Sequence, residues 1–143
     1  MAASDIHISV TDRAGRKTAS SGSKWEPKMG YSRAVRSGNF IAVTGTVGVN
    51  ADGTYSSSLG DQTRRSLQII RAAIEALGGR MDQVIRTRMF VTDVSKWEQV
   101  AAVHGEVFGE IRPATSILEV ARLIDAEAQI EIEADVVVLN SPP

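Results

Sequence analysis

Glu131, Glu133 and Asp135 put three carboxylates at every second position of one short run. On a β-strand they project to one side, where like charges at i, i+2 and i+4 repel, so they must face water, meet cations or line a site. The chain has cations suited to meeting them. Arginine outnumbers lysine 12 to 4, and the planar guanidinium pairs with carboxylates through two parallel hydrogen bonds. Arg86 and Arg88 repeat at strand spacing and are the natural partners of the acidic face.

His104 carries a side chain whose ordinary pKa suits proton transfer near neutrality. It falls among apolar residues at helical spacing, which leaves two readings open: an acid or base reaching a cleft, or a histidine packed at the edge of the core. The second histidine, His7, lies in a separate stretch, so no histidine metal site is expected, and no cofactor is implied. Cysteine is absent, which removes disulfides, thiolate metal sites and a thiol nucleophile. The Ser-Ser-Gly-Ser-Lys segment at 20–24 lacks both the spacing of a phosphate-binding loop and a preceding strand.

The elements that position these groups follow from periodicity. Residues 129–139 alternate strictly, with Ile130, Ile132, Ala134, Val136 and Val138 on the face opposite the acids, which predicts a half-buried strand. The apolar run at 116–123 is expected to pair with it as an antiparallel hairpin. Residues 31–36 and 40–47 read as a hairpin across Ser37-Gly38-Asn39. Leu67, Ile70, Ile74 and Leu77 define an amphipathic helix over 60–77, closed by Gly78-Gly79. Residues 84–91 form a further strand. A second helix is expected to open at Ser95-Lys96-Trp97-Glu98, a Ser-x-x-Glu capping box. Residues 5–10 suggest a short first strand, and 12–28 have no period and read as a loop or arm.

One domain spanning 1–143 accommodates all of this, with 1–28 as its N-terminal strand and arm. The order predicts an α+β fold with one sheet of five or six strands and two helices on one face. The other face would carry Glu131, Glu133, Arg86 and Arg88 beside Phe90 and Val137, a surface suited to self-association. Sixteen basic against 17 acidic residues give no general attraction to a polyanion, which argues against nucleic acid. No apolar run approaches membrane-spanning length and no leader pattern opens the chain, so a cytoplasmic location is expected.

Gly30-Tyr31, Thr44-Gly45-Thr46, Arg86-Thr-Arg-Met-Phe-Val-Thr-Asp93, Arg112-Pro-Ala-Thr-Ser116, Glu119-Val-Ala-Arg-Leu123 and Ile130-Glu-Ile-Glu-Ala134 stand in the order and spacing of a known family. Over about residues 29–139 the chain resembles the reactive intermediate deaminases, the Rid or YjgF family, also known as endoribonuclease L-PSP. The resemblance implies a chorismate-mutase-like α+β subunit with a mixed sheet. It further implies a homotrimer built on the open sheet faces, with small-molecule clefts between neighbouring subunits. The best known members hydrolyse reactive enamines and imines to 2-oxo acids and ammonia. Carried over by motif, Tyr31 matches a cleft tyrosine, Thr44 a cleft serine, and Glu131 the glutamate that positions the attacking water.

The family arginine that clamps the substrate carboxylate is replaced here by Thr115. A hydroxyl supplies neither charge nor a fork of donors, so weak or no activity on simple 2-imino acids is expected. Arg112, three residues upstream, and Arg33, on the same strand face as Tyr31, either compensate or are consumed in structural ion pairs with the many acidic residues. With His104 they complete the candidate substrate-binding set. Three functions compete: hydrolysis of a small imine or enamine, binding of a metabolite without turnover, and ribonuclease action or translation inhibition. The charge balance and the lack of a paired histidine or basic-aromatic surface disfavour the third.

Overall fold

The computed structural model describes residues 3–139. Seven strands form one sheet in the order β1-β2-β3-β4-β7-β5-β6, from β1 (Ser9–Arg13), β2 (Arg16–Ser20), β3 (Ala34–Ser37), β4 (Phe40–Val47), β5 (Val84–Val91), β6 (Ala114–Glu119) and β7 (Ile130–Val137). A short helix α1 (Trp25–Met29) follows β2, and the long helices α2 (Leu59–Ala76) and α3 (Trp97–Phe108) complete the α+β subunit.

β7 is the strand around which the rest is laid. It pairs antiparallel with β4 on one side and β5 on the other, and its residues alternate buried and half-buried along the whole length. Ile130, Ile132 and Val136 are fully buried and join Ile70, Ile74 and Leu77 of the α2 region, with Val100 and Phe108 of α3, in one core. The amphipathic pattern over 60–77 is therefore a true report of that packing. Ser58 caps α2 by accepting from the Asp61 N–H at 3.2 Å, satisfying one of the helix's free donors.

Three expectations are corrected. The run after Arg112 is not one arm of a hairpin with β7. Its strand β6 lies at the sheet edge, parallel to β5, with Thr87 opposite Thr115 and Arg88 opposite Ser116. Parallel neighbours need a crossover, and α3 supplies it, so β5-α3-β6 is a βαβ unit. Residues 12–28 are not a loose arm. Ala14 and Gly15, at φ 52° and 88°, make the two-residue turn of a β1-β2 hairpin, which extends the sheet by pairing β2 with β3. The capping box at Ser95 does not form: Asp93 accepts from the Ser95 N–H at 3.1 Å above a 3-10 turn, Val94–Lys96, before α3 begins. Trp97, the first residue of α3, is exposed. No helix among the described residues is long and apolar enough to cross a membrane.

Gln62 holds the two ends of the core together from inside. It is 1% exposed; its Nε2 donates to the Ser56 carbonyl at 2.8 Å and the Glu127 carbonyl at 3.0 Å, while its Oε1 accepts from the Gln129 N–H at 2.8 Å. These bonds fix the segment that delivers the chain into β7. Gln62→Leu keeps the volume but leaves three backbone groups without a partner, and is expected to destabilise the protein by roughly 2–4 kcal/mol. Urea unfolding followed by circular dichroism measures it, and a shift below about 1 kcal/mol would show that water takes over these bonds.

Candidate active site

The site begins with a fault in the β4-β7 ladder. Val43 lies opposite Ala134, but the next pair is Thr46 with Ile132, so β4 carries one extra residue over Thr44-Gly45. Such a bulge bends the strand and re-aims its groups. Here it turns the Gly45 carbonyl toward Arg33, which donates to it through Nη1 at 2.8 Å. On its other side Gly45 meets Glu131, whose carboxyl oxygen Oε2 occupies the place a Cβ would take. Only glycine lets this carboxyl lie against the strand.

Arg33 is 6% exposed, and its guanidinium is braced entirely by neutral acceptors. Besides the Gly45 carbonyl, Nη1 donates to Thr46 Oγ1 at 3.2 Å, Nε to Ser21 Oγ at 3.3 Å, and Nη2 to the Tyr31 hydroxyl at 3.2 Å. Ser21 Oγ in turn donates to Glu26 Oε2 at 3.0 Å, and the same carboxylate oxygen accepts from the Ser21 and Ser23 N–H groups. The short helix α1, ended by Gly30 in the left-handed region at φ 74°, thus places Tyr31 against the arginine and Glu26 behind Ser21. The expectation that Arg33 is consumed in an ion pair is not met: among the described residues no carboxylate comes within 4 Å of it.

Glu131 is likewise left out of the ion pairs of its own face. Arg88 lies 3.2 Å from Asp135 and 3.5 Å from Glu133, and Arg86 lies 3.9 Å from Asp135. The two cations of β5 therefore neutralise the other two acids of β7. Burial raises the Glu131 pKa above the ordinary carboxyl value, Glu133 pushes it the same way, and Arg33 partly offsets both.

Tyr31, Arg33 and Glu131 line one cleft of about 590 Å³, together with the N-terminal segment at Asp5 to His7, the 21–25 loop, Arg65 and Ile69 of α2, and Tyr55 and Asp125. Sequence reasoning missed several of these. Arg65 has a side chain only 13% exposed, paired with Asp5 at 2.9 Å and donating to the Val49 carbonyl at 3.0 Å. The Tyr55 hydroxyl donates to Asp125 at 2.6 Å, and burial, reinforced by this bond, holds its pKa well above the ordinary tyrosine value. Neither contact has a local sequence signal, since the partners are 60 and 70 residues apart.

The remaining candidates do not join this cleft within one chain. The Thr44 hydroxyl donates to the Ser32 carbonyl at 2.6 Å, tying the bulge to the approach of β3. Thr115 sits on β6, two strands from β7 and so roughly 10 Å away. Its hydroxyl faces Thr87 at 2.8 Å, and Thr87 lies 2.9 Å from His104 Nε2. His104 is thus the inner end of a hydroxyl relay, half-buried and tilted against Phe108 at 4.6 Å, with its pKa lowered by burial. Arg112 is exposed at the end of α3, its N–H bonded to the Phe108 carbonyl at 2.8 Å, with the unusual φ of 57° for a non-glycine residue. It too has no carboxylate within ion-pair distance among the described residues. No group of three or more potential metal ligands forms among them either.

The chain is similar to several known proteins. Residues 22–138 match the model of the family described as Endoribonuclease L-PSP. A solved structure from Mycobacterium tuberculosis, of the YjgF/YER057c/UK114 family, is 43% identical with a TM-score of 0.80, over 86% of this chain and 99% of that one. The 2-iminobutanoate/2-iminopropanoate deaminase of Escherichia coli is 35% identical over 73% of this chain and 84% of its own length. Escherichia coli TdcF, solved with bound serine, is 28% identical with a TM-score of 0.72, over 76% of this chain and 88% of that one.

A raised carboxyl pKa has a defined signature in stability. Glu131 holds its proton more tightly folded than unfolded, so its contribution to stability is full below the unfolded pKa and is lost as pH rises through the folded one. Glu131→Gln removes this loss. The variant is expected to melt with wild type at low pH and above it at neutral pH, as read from thermal melts across pH 3–8. A variant that melts below wild type at pH 7 would mark Glu131 as a structural ion-pair member.

Proposed function

The chain belongs to the Rid/YjgF family, the family of the endoribonuclease L-PSP model, and from that premise we propose that it hydrolyses a small imine- or enamine-type metabolite in the cleft of Tyr31, Arg33 and Glu131. The observation that carries this is Glu131: a carboxyl withheld from the ion pairs that absorb its two neighbours, half-buried, and facing a cavity. A general base is useful when its pKa sits nearer the working pH than that of an ordinary carboxylate, and desolvation moves it in that direction. Glu131 takes a proton from water as the water oxygen bonds to the imine carbon, and returns that proton to the nitrogen; the carbinolamine hydroxyl then passes its proton by way of Glu131 to the amine, the C–N bond breaks, and ammonia leaves with a carbonyl product behind. The deaminase name of the Escherichia coli relative and the serine in TdcF support a small amino-acid-like ligand.

The working unit in this proposal is a homotrimer. Glu133, Asp135, Arg86 and Arg88 lie on the sheet face opposite the helices, flanked by exposed Phe40 and Leu118, and a neighbouring copy would cover them. The same packing would bring the Thr115 edge of one subunit, with Arg112 beside it and His104 behind, to the cleft of the next. Thr115 adds no charge there. The cleft, at about 590 Å³, is also larger than a three- or four-carbon substrate fills. Simple 2-imino acids are therefore slow substrates, and bulkier ones exclude water better.

The test is hydrolysis of imines made in situ from 2-aminobutanoate and from leucine by an amino-acid oxidase, with ammonia release followed at fixed oxidase activity. Wild type is expected to act faster on the leucine-derived imine, and Glu131→Gln to lose roughly 10²- to 10⁴-fold in kcat/KM without loss of melting temperature. If no imine is accelerated while 2-oxo acids still bind, the cleft is that of a non-catalytic binding protein. Light scattering gives the assembly, with three times 15.3 kDa expected; a monodisperse monomer would remove Thr115, Arg112 and His104 from the site.

A further inference from the structure

Among the described residues of the cleft, Arg33 is the buried cation with no carboxylate at ion-pair distance, Glu131 acting on it only across Gly45. A buried cation whose direct partners are all neutral acceptors carries a desolvation cost that is only partly offset, and the remainder is recovered when an anion arrives. The guanidinium has five N–H groups. Four are spent on Ser21 Oγ, the Gly45 carbonyl, Thr46 Oγ1 and the Tyr31 hydroxyl, leaving one on Nη2 uncommitted. Because the Tyr31 hydroxyl accepts from Nη2, its own hydrogen is free to donate elsewhere, and Tyr31 lines the same cavity. Two unspent donors, one of them charged, thus stand on atoms 3.2 Å apart at the wall of the cleft.

We propose that Arg33 and Tyr31 form the carboxylate anchor of this cleft, one oxygen of the ligand's carboxylate accepting from Arg33 Nη2 and the other from the Tyr31 hydroxyl. The inference rests on the cleft being the ligand site, and it adds the residue that selects acids. It also explains why Thr115 can lack a charge: the anchor is built into the chain's own cleft. The ligand group is a monoanion. Glu131 across Gly45, and Glu26 linked through Ser21, place negative charge on both sides, which a phosphate dianion would meet unfavourably, whereas a planar carboxylate matches a pair of adjacent donors. The brace around the guanidinium fixes its direction before the ligand arrives, so little side-chain entropy is lost on binding.

Equilibrium binding separates this role from a structural one. Calorimetry with 4-methyl-2-oxopentanoate, its neutral amide and inorganic phosphate would be run on wild type, Arg33→Gln and Tyr31→Phe. Wild type is expected to bind the acid roughly 10- to 150-fold more tightly than the amide, the range that one charge-assisted hydrogen bond carries, and to bind phosphate weakly. In Arg33→Gln the acid and the amide should bind alike. Tyr31→Phe, which disturbs the brace less, should narrow the ratio by several-fold. A residue that merely supports the fold would weaken both ligands in parallel, so an acid-to-amide ratio surviving in Arg33→Gln overturns the proposal, as does a wild type that fails to discriminate. Should Arg33→Gln fail to fold, an unchanged ratio in Tyr31→Phe overturns it as well. Turnover by Glu131 is not read in this experiment, so the anchor and the hydrolytic reading fail separately.

Discussion

Gly45 is the point on which the site depends, because it lets two opposed charged groups lie against one piece of backbone without touching. The bulge in β4 turns its carbonyl to Arg33 and its empty side-chain position to Glu131. Had the ladder run on without the extra residue, the carbonyl would have been available to β7, and the arginine and the acid would have been drawn toward an ordinary ion pair. Separation keeps the cation short of a full partner, while burial and Glu133 hold the acid's pKa above the ordinary carboxyl value. Both conditions cost stability, and both are the kind a binding or catalytic cleft retains.

The sheet distributes charge so that this separation lasts. β5 brings two arginines opposite β7, but their register matches Glu133 and Asp135, while the residue opposite Glu131 is Phe90. An aromatic ring there denies Glu131 the neutralisation its neighbours receive and contributes to its burial. The same register that would build a solvated ion-pair face elsewhere thus leaves one carboxyl at its end without a cross-strand arginine. On the far side of Arg33, α1 and the 21–23 loop supply Glu26 only through Ser21, which directs the guanidinium without cancelling it.

The relay from Thr115 through Thr87 to His104 is a second polar feature, on the helix-covered side of the sheet. It satisfies a fully buried hydroxyl on Thr87 and gives a half-buried imidazole its hydrogen bond, as buried polar groups require. It also shows how one strand can serve two layers: β6 presents Thr115 inward to Thr87 while Ala114, Ser116 and Leu118 share the open face with the charged residues of β5 and β7.

Strict alternation over 129–139, the spacing of Leu67, Ile70, Ile74 and Leu77, and the 84–91 strand determined by themselves the α+β layer and the helix-covered face, because a core face leaves its period in the sequence. The motifs around Tyr31, Gly45 and Glu131 determined the family for the same reason of fixed spacing. The β1-β2 hairpin left no such trace: its strands are mostly exposed, with Ala19 the fully buried residue, and its turn is Ala-Gly rather than a stronger signal. Only the tertiary structure decided that β6 runs parallel to β5, since an apolar run pairs equally well with either neighbour until the α3 crossover fixes its direction. It also decided which arginine is buried without a carboxylate and which acid escapes its arginines. Charge pairing is settled by register and by a one-residue bulge, and neither can be read from the order of charges along the chain.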